Sequence, residues 1–341
     1  MVFRKMNSDK ILLDHGSGGR ASHELVREII YPYFENAILA QMDDSAVFSV
    51  GDEKFAFSTD SYVVDPIFFP GGSIGDLAVN GTVNDLAMCG AQPLFISVGF
   101  IIEEGFTIDD LQKILQNMRQ AAQKAGVQIV TGDTKVVHRK AADKIFINTS
   151  GIGRIPKGVN LSGKNAAVGD HIILSGNVAD HGITILTQRE GLCMDSPIIS
   201  DTAPLNHMVQ KIIESGRQVH TLRDPTRGGL ATSLNEIAAQ AGVGIKLYES
   251  AIPIRRETRG ACELLGLDPL YIANEGKLIA CVAPADAETV LTVIRTNPYG
   301  RDAQIIGEVT AAHPGKVFME TAIGGTRILD MLTGEQMPRI C

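Results

Sequence analysis

The sequence predicts a two-domain protein of the α+β class, with an α/β-like pattern, that ends in a short tail. Its 341 residues exceed one ordinary hydrophobic core and suit two domains of roughly 150 residues each. Hydrophobic residues make up 44% of the chain, charged residues make up 21%, and the 35 glycines indicate many turns. A turn-rich stretch at 156–169 is the candidate linker. We therefore expect domains at 1–160 and 161–330 and a tail at 331–341.

Hydrophobic periodicity predicts the individual elements. In the first half, apolar runs and alternation predict strands at 54–58, 94–102, 127–130 and 145–153, and helical spacing predicts helices at 21–34, 73–88 and 108–124. In the second half, a strand at 171–174 precedes helices at 183–190, 205–215, 229–241 and 285–295. No internal repeat indicates a solenoid.

Charge and hydropathy exclude several classes of protein. The net charge is -8 and no block of Lys or Arg occurs, so neither nucleic acid nor an anionic membrane surface is expected as a partner. No apolar run approaches the roughly 18 residues that a membrane span needs. The start, MVFRKMNSDK, lacks the apolar stretch of a signal peptide. We therefore expect a cytoplasmic protein.

The cysteines indicate neither a disulfide framework nor a thiolate zinc site, because they are scattered, odd in number and free of CxxC spacing. Four of them lie in apolar or helical surroundings and are interpreted as small buried hydrophobic residues. The last residue, Cys341, does not fit that interpretation. The five are Cys89, Cys193, Cys262, Cys281 and Cys341.

The segment 331–341 has no helical or strand pattern and contains Gly334 and Pro338, so we expect a mobile tail. Eleven extended residues reach roughly 35 Å. That length would bring Cys341 into a pocket of the same subunit or of a neighbouring one, and the sequence leaves both alternatives open.

Acidic residues of the first half gather at turn-like sites beside predicted strand ends. On the helix at 73–88, polar residues four positions apart replace the apolar stripe of an ordinary core helix. Clustered carboxylates repel one another, and Mg²⁺ that also binds nucleotide phosphates would relieve the repulsion. Any single Asp has the alternative of being a turn former or helix cap. The residues are Asp43, Asp44, Asp60 and Asp133 beside strands, and Asp76, Asn80, Asn84 and Asp85 on the helix.

A glycine-rich loop, HGSGGR at 15–20, precedes the helix at 21–34. Its amide groups and the start of the helix are suited to bind phosphate. Neither GxxxxGK[ST] nor GxGxxG is present, so a nucleotide would be held by another architecture. The candidate phosphate-binding residues are Gly16, Ser17, Gly18 and Gly19.

Five motifs together resemble the superfamily of aminoimidazole ribonucleotide synthetase, selenophosphate synthetase and thiamine monophosphate kinase. They are MDDSAV, STDSYVVDPIFFPGG, VNGTVNDLAMCGAQPL, TGDTKVV and DPTRGGLATSLNEIA, and the resemblance covers about residues 12–330. Within that superfamily, HGSGG, LSGNVADHGITIL, NEGKL and the final PRIC are similar to the HypE family of hydrogenase maturation proteins.

The resemblance implies a fold and a nucleotide site. The N-terminal sheet would form a barrel at a homodimer interface, and ATP with Mg²⁺ would lie between the two domains. Metal and phosphates would be bound by Asp43, Asp44, Asp60, Asp85 and Asp133, with Asp76 and Asn80 in the same motif. Gly16 to Gly19 would close over the phosphates, and Asp224, Gly228 and Gly229 would line the second-domain side.

The resemblance also implies a reaction. Members of this family receive a carbamoyl group on the terminal thiol, here Cys341, from the carbamoyltransferase HypF, and dehydrate it to a thiocyanate. The cyanide then passes to iron held by HypC and HypD. Glu275 of NEGKL is the candidate base that removes the nitrogen protons, and a surface Glu is its alternative interpretation. His15 is a second candidate base, whereas Arg223, Arg227 and Lys135 are candidate phosphate contacts or solvated loop residues.

Two other functions stay open at this point. The N-terminal loop has neither the reactive Cys nor the Lys of selenophosphate synthetases, and the other superfamily enzymes lack a terminal Cys. A kinase or synthetase acting on a diffusible substrate, with Cys341 idle, is nevertheless one alternative. The other is a carrier that uses the tail thiol without nucleotide turnover.

Overall fold

The computed structural model describes residues 10–192, 198–334 and 337–341. Residues 1–9 of the initial segment MVFRKMNSDK lie outside these ranges, and so does Cys193. The described chain contains two large sheets, each with its own helices, and a two-stranded ribbon; the helix Ile74–Met88 lies where the two large sheets meet. No helix in these ranges has both the length and the apolar character needed to cross a membrane.

The first sheet has five strands in the order β1-β2-β7-β5-β6. Only β5 and β6 are parallel, and α4 connects them. A two-stranded ribbon, β3 and β4, leads into α3. The bounds are β1 Ala46–Val50, β2 Glu53–Tyr62, β3 Phe68–Phe69, β4 Gly72–Ser73, α3 Ile74–Met88, β5 Gln92–Glu103, α4 Ile108–Ala125, β6 Gln128–Val137 and β7 Ile145–Ile155.

The second sheet has seven strands in the order β14-β13-β10-β12-β8-β11-β9. Helices cover both of its faces. Two neighbouring residues of β8 show this, since successive side chains of a strand point to opposite sides of the sheet. Ile172 packs with α7, and Ile173 packs with α6 and α9. The bounds are β8 His171–Leu174, α5 Asp180–Arg189, α6 Asn206–Glu214, β9 Val219–Arg223, α7 Gly229–Ala241, β10 Gly244–Tyr248, α8 Arg256–Leu265, β11 Ile279–Val282, α9 Ala287–Arg295, β12 Gln304–Thr310, β13 Val317–Glu320 and β14 Thr326–Leu329.

An N-terminal arm precedes the first sheet and lies beside α7. It begins with a 3₁₀ turn at Leu13–Gly16 and continues as α1 Arg20–Glu24, a π-helical turn at Leu25–Ile30 and α2 Tyr31–Phe34. His23 Nε2 lies 2.7 Å from Glu236 Oε1 of α7. The helix predicted at 21–34 is therefore confirmed, although its middle is π-helical rather than α-helical.

Helix α3 is buried on almost all sides, because it packs between the first sheet and α6. Its polar residues therefore face protein rather than solvent. The helix begins with a capping box: Ser73 Oγ accepts a hydrogen bond from Gly75 N, and Asp76 Oδ2 accepts one from Ser73 N at 2.8 Å. This cap fixes the entry of the chain into the helix.

Two strands extend beyond the predicted limits. The strand predicted at 54–58 continues to Tyr62 as β2, so Asp60 lies within a strand rather than at its end. The strand predicted at 127–130 continues to Val137 as β6, which places Asp133 on an edge strand. The first sheet is open within one chain, since no described strand joins β1 to β6. The 156–169 stretch connects β7 to β8, while the domain limits at 160 and 330 stay a prediction.

Candidate active site

The last residue of the sequence lies in the cleft between the two units. A cavity of about 80 Å³ is formed there by the glycine-rich loop, β2, the start of α7 and the tail. The tail thus reaches a pocket of its own chain, one of the two alternatives that the sequence left open. Its lining residues are Gly16, Ser17, Ser61, Val63, Arg227, Gly228, Tyr271, Ala273, Leu332, Met337, Arg339, Ile340 and Cys341.

The tail is docked in the structure. Val63 N donates a hydrogen bond to the main-chain oxygen of Cys341 at 2.9 Å, and Asp65 N donates to Arg339 O at 3.2 Å. Met337 and Ile340 are only 8% and 5% exposed. The expected absence of helix and strand in 331–341 holds for its described residues. Movement of the tail away from this position stays a prediction.

The glycine-rich loop packs closely against the second unit. Gly18 has φ +78, and a Cβ there would lie 2.7 Å from the Cβ of Arg227. A Cβ on Gly19 would lie 2.3 Å from Leu332 O. Arg227 Nη1 donates a hydrogen bond to Gly16 O at 3.3 Å. The glycines therefore allow the loop to close one side of the cavity, where a larger residue would displace it.

Four aspartates from separate elements converge behind this cavity. Asp44 precedes β1 and pairs with Arg223 Nη1 at 3.0 Å. Asp85 of α3 accepts a hydrogen bond from Ser58 Oγ at 2.6 Å. The other two, Asp60 on β2 and Asp224 directly after β9, complete the cluster.

Burial governs the ionisation of these aspartates. It raises the pKa of Asp85, and the neighbouring charges of Asp60, Asp224 and Asp44 raise it further. Burial also raises the pKa of Asp224 to about 6, although the Arg223 cation opposes the shift. Asp44 and Asp60 have raised pKa values for the same first cause. A cation among them would restore their charged forms.

Glu275 is held rigidly beside the cluster. Its N–H donates to Asp201 Oδ1 at 3.1 Å, and its carbonyl accepts from Asn84 Nδ2 at 3.3 Å. The residue is 4% exposed, and its Oε1 has no hydrogen-bond partner within the described part of the chain. Burial and then the charge of Asp201 raise its pKa well above the usual value, while Arg227 lowers it.

Arg227 connects the tail with the acidic residues. Its pKa is raised, chiefly by the negative charge of Cys341 and further by Asp60 and Glu275. The arginine lies at the turn before α7, next to Gly228, where the φ angle is +79. The turn before α7 therefore brings a cation to the cavity.

Four predicted site residues make structural contacts, and their roles in ligand binding stay predictions. Asp43 accepts hydrogen bonds from Ser162 Oγ at 2.8 Å and from Gly163 N at 3.2 Å, and so fixes the interdomain connection. Asp76 caps α3, as described above. Asn80 donates to Thr202 Oγ1 at 3.1 Å, although its Oδ1 has no partner among the described residues. Gly229 has φ +62, and a Cβ there would lie 2.7 Å from Leu270 O. The backbone therefore requires glycine at this position.

Asp133 lies apart from the cluster within one chain, so its role as a ligand stays a prediction. In the strand pairing, Asp133 is opposite Gly99, Gly99 is opposite Asn148, and Asn148 is opposite Ser61. Three strand spacings, about 14 Å, therefore separate it from β2. Asp133 is exposed and pairs with Lys135 at 2.8 Å. The physical reason is the extension of β6, which moves this residue from a strand end to a sheet edge.

Several site residues escaped the sequence argument. Tyr62 is buried and donates a hydrogen bond to Asp60 Oδ2 at 3.3 Å. Lys277 Nζ pairs with Asp201 Oδ2 at 3.1 Å beneath Glu275. The alternation of β2 could have identified Tyr62, since it shares a face with Asp60. His15, by contrast, accepts from Leu12 N at 2.9 Å and does not line the cavity.

The donor set suits Mg²⁺ only together with phosphate. Across the described ranges, no three His, Cys, Asp or Glu side chains come close enough to hold one metal ion. Mg²⁺ commonly binds one or two carboxylates and takes its remaining oxygens from phosphates and water. The raised pKa values of the aspartates indicate the same requirement for positive charge.

Comparison with known proteins identifies both halves of the chain. Residues 42–155 match the N-terminal domain model of the AIR synthase related proteins, and residues 167–320 match the C-terminal domain model. The chain is 51% identical over 330 residues to the carbamoyl dehydratase HypE of Bradyrhizobium diazoefficiens, covering 96% of this chain and 95% of the relative.

Solved structures give the same result. A hydrogenase maturation protein HypE in complex with ATP is 52% identical, with a TM-score of 0.83, covering 97% of this chain and all of that one. The HypE chain of a HypE-HypF complex is 47% identical, with a TM-score of 0.86, covering 90% of this chain and 99% of that one.

The buried carboxyl of Glu275 generates a prediction about stability. Glu275→Gln is expected to raise the melting temperature at pH 8 by a few degrees, and to raise it less at pH 5. Because the folded pKa is raised, the native carboxyl contributes its stability below the unfolded pKa and loses it as the pH rises through the folded pKa. A neutral amide has no such loss.

Calorimetry at the two pH values measures this difference. Glu53→Gln, at an exposed position of β2, is the matched control and should leave both melting temperatures unchanged. Equal destabilisation by Glu275→Gln at pH 5 and pH 8 would contradict the argument.

Proposed function

This chain belongs to the HypE family within the AIR synthase related proteins, and we propose that it uses ATP to dehydrate a carbamoyl group carried by Cys341. Relatives with about half of their residues identical are named carbamoyl dehydratases, and a HypE structure holds ATP. The reaction serves hydrogenase maturation. The observation that carries the proposal is the position of Cys341, which shares one cavity with the glycine-rich loop and Arg227.

The chemistry explains the need for ATP. Removal of water from a thiocarboxamide requires its oxygen to leave, and hydroxide is a poor leaving group. When the amide oxygen attacks the γ-phosphorus, ADP departs and the oxygen becomes part of a phosphate ester. Loss of the two nitrogen protons then expels phosphate and forms the C≡N bond. The balance is S-carbamoyl-cysteine plus ATP to cysteinyl thiocyanate, ADP and phosphate.

The residues of the cavity have separate roles in this scheme. Gly16 to Gly19 would close over the phosphates, and Arg227 would neutralise charge that develops there. Mg²⁺, held by one or two of Asp44, Asp60 and Asp85 and otherwise by phosphate oxygens and water, would supply the remaining positive charge. Asp224 lines the same site from the second unit.

Glu275 is the proposed base. A carboxylate with a raised pKa is a stronger proton acceptor than an ordinary one. Its unpartnered Oε1 and its fixed main chain leave one oxygen available for a proton from the substrate nitrogen. The buried ion pair of Lys277 with Asp201 supports the segment that carries it.

We further propose a homodimer formed through the first sheet. The face of this sheet opposite α3 exposes apolar side chains, and Phe57 and Phe95 lie opposite Ile152 on adjacent strands. Two such sheets packed together would form the barrel expected from the family. The same proposal gives Asp133 an interface position. We also propose that HypF donates the carbamoyl group and that HypC and HypD accept the cyanide. The proposed location is the cytoplasm.

The docked tail favours this function over the alternatives. A kinase acting on a diffusible substrate would have no use for its own Cys341 in the cavity. A carrier without turnover would leave the buried aspartates uncompensated, which is costly.

Cys341→Ala should abolish formation of the thiocyanate, because the sulfur that carries the amide is absent, while ATP binding should remain. Mass spectrometry of the C-terminal peptide after incubation with the carbamoyl donor and ATP measures the product. Cys262→Ala removes a buried thiol on α8 and is the control. Its carbamoylated C-terminal peptide should still lose the mass of one water when ATP is added. Hydrogenase cyanation by the Cys341→Ala variant would refute the proposal.

Asp85→Asn should lower the dehydration rate on the order of a hundredfold, because it removes a charge that holds the metal and phosphates. The same change should stabilise the protein without nucleotide, since Asp85 is buried among other carboxylates. Rates on carbamoylated protein and melting curves with and without Mg-ATP measure both effects. Asp110→Asn on the exposed side of α4 is the control, and a wild-type rate in Asp85→Asn would count against the metal site.

Phe57→Lys should weaken the dimer roughly tenfold or more, because it places a charge in the centre of the proposed interface. Sedimentation velocity across a concentration series measures the dissociation constant. Ile323→Lys is the control, since Ile323 is 95% exposed on the turn between β13 and β14. An unchanged dimer in Phe57→Lys would exclude this face.

A further inference from the structure

The main chain of the tail is bound by side chains of α5, and no step of the proposed reaction uses these contacts. We propose that Arg189, supported by His181, is a positioning residue that clamps the carbonyl groups of the tail and so places Cys341 for dehydration. This inference rests on the proposed function for its catalytic consequence. The docking contacts themselves are observed independently of it.

Arg189 joins the tail to the segment after β2. Its Nη1 donates to Pro338 O at 2.7 Å, and its Nη2 donates to Arg339 O at 2.8 Å. The same guanidinium donates to Asp65 O, at 2.8 Å from Nε and 2.6 Å from Nη2. The planar arrangement of guanidinium donors suits three carbonyl groups at once, whereas an ammonium group lacks this geometry.

His181 extends the clamp by one residue. It lies eight positions before Arg189 on the same helix, and its Nε2 is 2.8 Å from Ile340 O. Its Nδ1 is 2.7 Å from Ser200 Oγ. Burial lowers the pKa of His181 and so favours the neutral ring. Because a carbonyl only accepts, Nε2 carries the proton and Nδ1 accepts from the Ser200 hydroxyl.

Together with Val63 N, these groups bind a main-chain oxygen of each of the four residues 338–341. The tail side chain Arg339 adds a hydrogen bond from Nε to Val63 O at 2.9 Å and an ion pair with Asp143. The clamp acts on the main chain and not on the sulfur substituent. It therefore holds the tail in the same register whether the sulfur carries a proton, a carbamoyl group or cyanide.

A clamp of this kind has opposite effects on the two stages of the cycle. Dehydration requires the docked tail, whereas transfer of the carbamoyl group from a separate enzyme requires exposure of Cys341. Loss of the Arg189 contacts should therefore slow dehydration and leave loading unimpaired. A merely structural arginine would affect both stages alike.

The first test measures access to the thiol. In Arg189→Met, alkylation of Cys341 by N-ethylmaleimide, followed by mass spectrometry of the C-terminal peptide, should be about tenfold faster than in wild type, because two hydrogen bonds to the tail are lost. The alkylation rate of Arg189→Lys should lie between the rates of wild type and Arg189→Met. The matched control is Arg295→Met, because Arg295 ends α9 and donates to Ala303 O from Nε and Nη2 at 3.0 and 2.8 Å, remote from the tail.

The second test measures single-turnover water loss on carbamoylated protein. Arg189→Met should be slower in this step and no slower in carbamoyl loading. An alkylation rate equal to wild type, or equal acceleration in Arg295→Met, would overturn the clamp. Faster alkylation with unchanged dehydration would overturn the positioning role alone. Should Arg189→Met fail to fold by circular dichroism, Arg189→Lys decides by the same criteria. The alkylation rate tests the clamp, whereas product formation by Cys341→Ala tests the proposed function, so failure of one can be told from failure of the other.

Discussion

The structure depends on carboxylates that are buried where the two units meet. Asp60 and Asp85 come from the first unit, and Asp224 and Glu275 come from the second. Burial raises the pKa of each, and neighbouring carboxylates raise the pKa values of Asp85, Asp224 and Glu275 further. Such a cluster opposes folding unless cations accompany it. Arg223 and Arg227 supply part of that charge, and a nucleotide-bound metal would supply the rest.

This constraint explains why the junction is polar where an ordinary core would be apolar. Asn84 of α3 accepts a hydrogen bond from Leu205 N and donates to Ala203 O and Glu275 O. One side chain of a buried helix therefore fixes two loops of the other unit. The proposed base is positioned by this network, and the position of Asp85 follows from the same helix. Helix α3 therefore contributes both to the contact between the units and to the position of the site residues. A uniformly apolar helix would lack these hydrogen bonds.

Periodicity predicted every described α-helix except α8, because amphipathic patterns are local properties of sequence, but it predicted only the strands β2, β5, β6, β7 and β8. It did not predict where β2 and β6 end, since polar residues continue both strands, and this moved Asp133 to an exposed edge. The structure brings Asp44, Asp60 and Asp85 together, while Asp43 contacts a loop and Asp76 caps α3; the roles of all five as ligands stay predictions. A pocket for the tail was expected, but the contacts that dock it were not predictable, because they depend on carbonyl groups that every residue possesses.

Recognition of the main chain suits a residue that must leave and return. Tail docking is intramolecular, so the linker supplies a high effective concentration and each contact can be weak. Single hydrogen bonds contribute modestly, and the buried side chains of Met337 and Ile340 add apolar contact. Contacts that depended on the thiol would favour one chemical state of Cys341 and retain it. Contacts with Pro338, Arg339 and Ile340 carbonyls favour a position, which is the property that a carrier of successive groups requires.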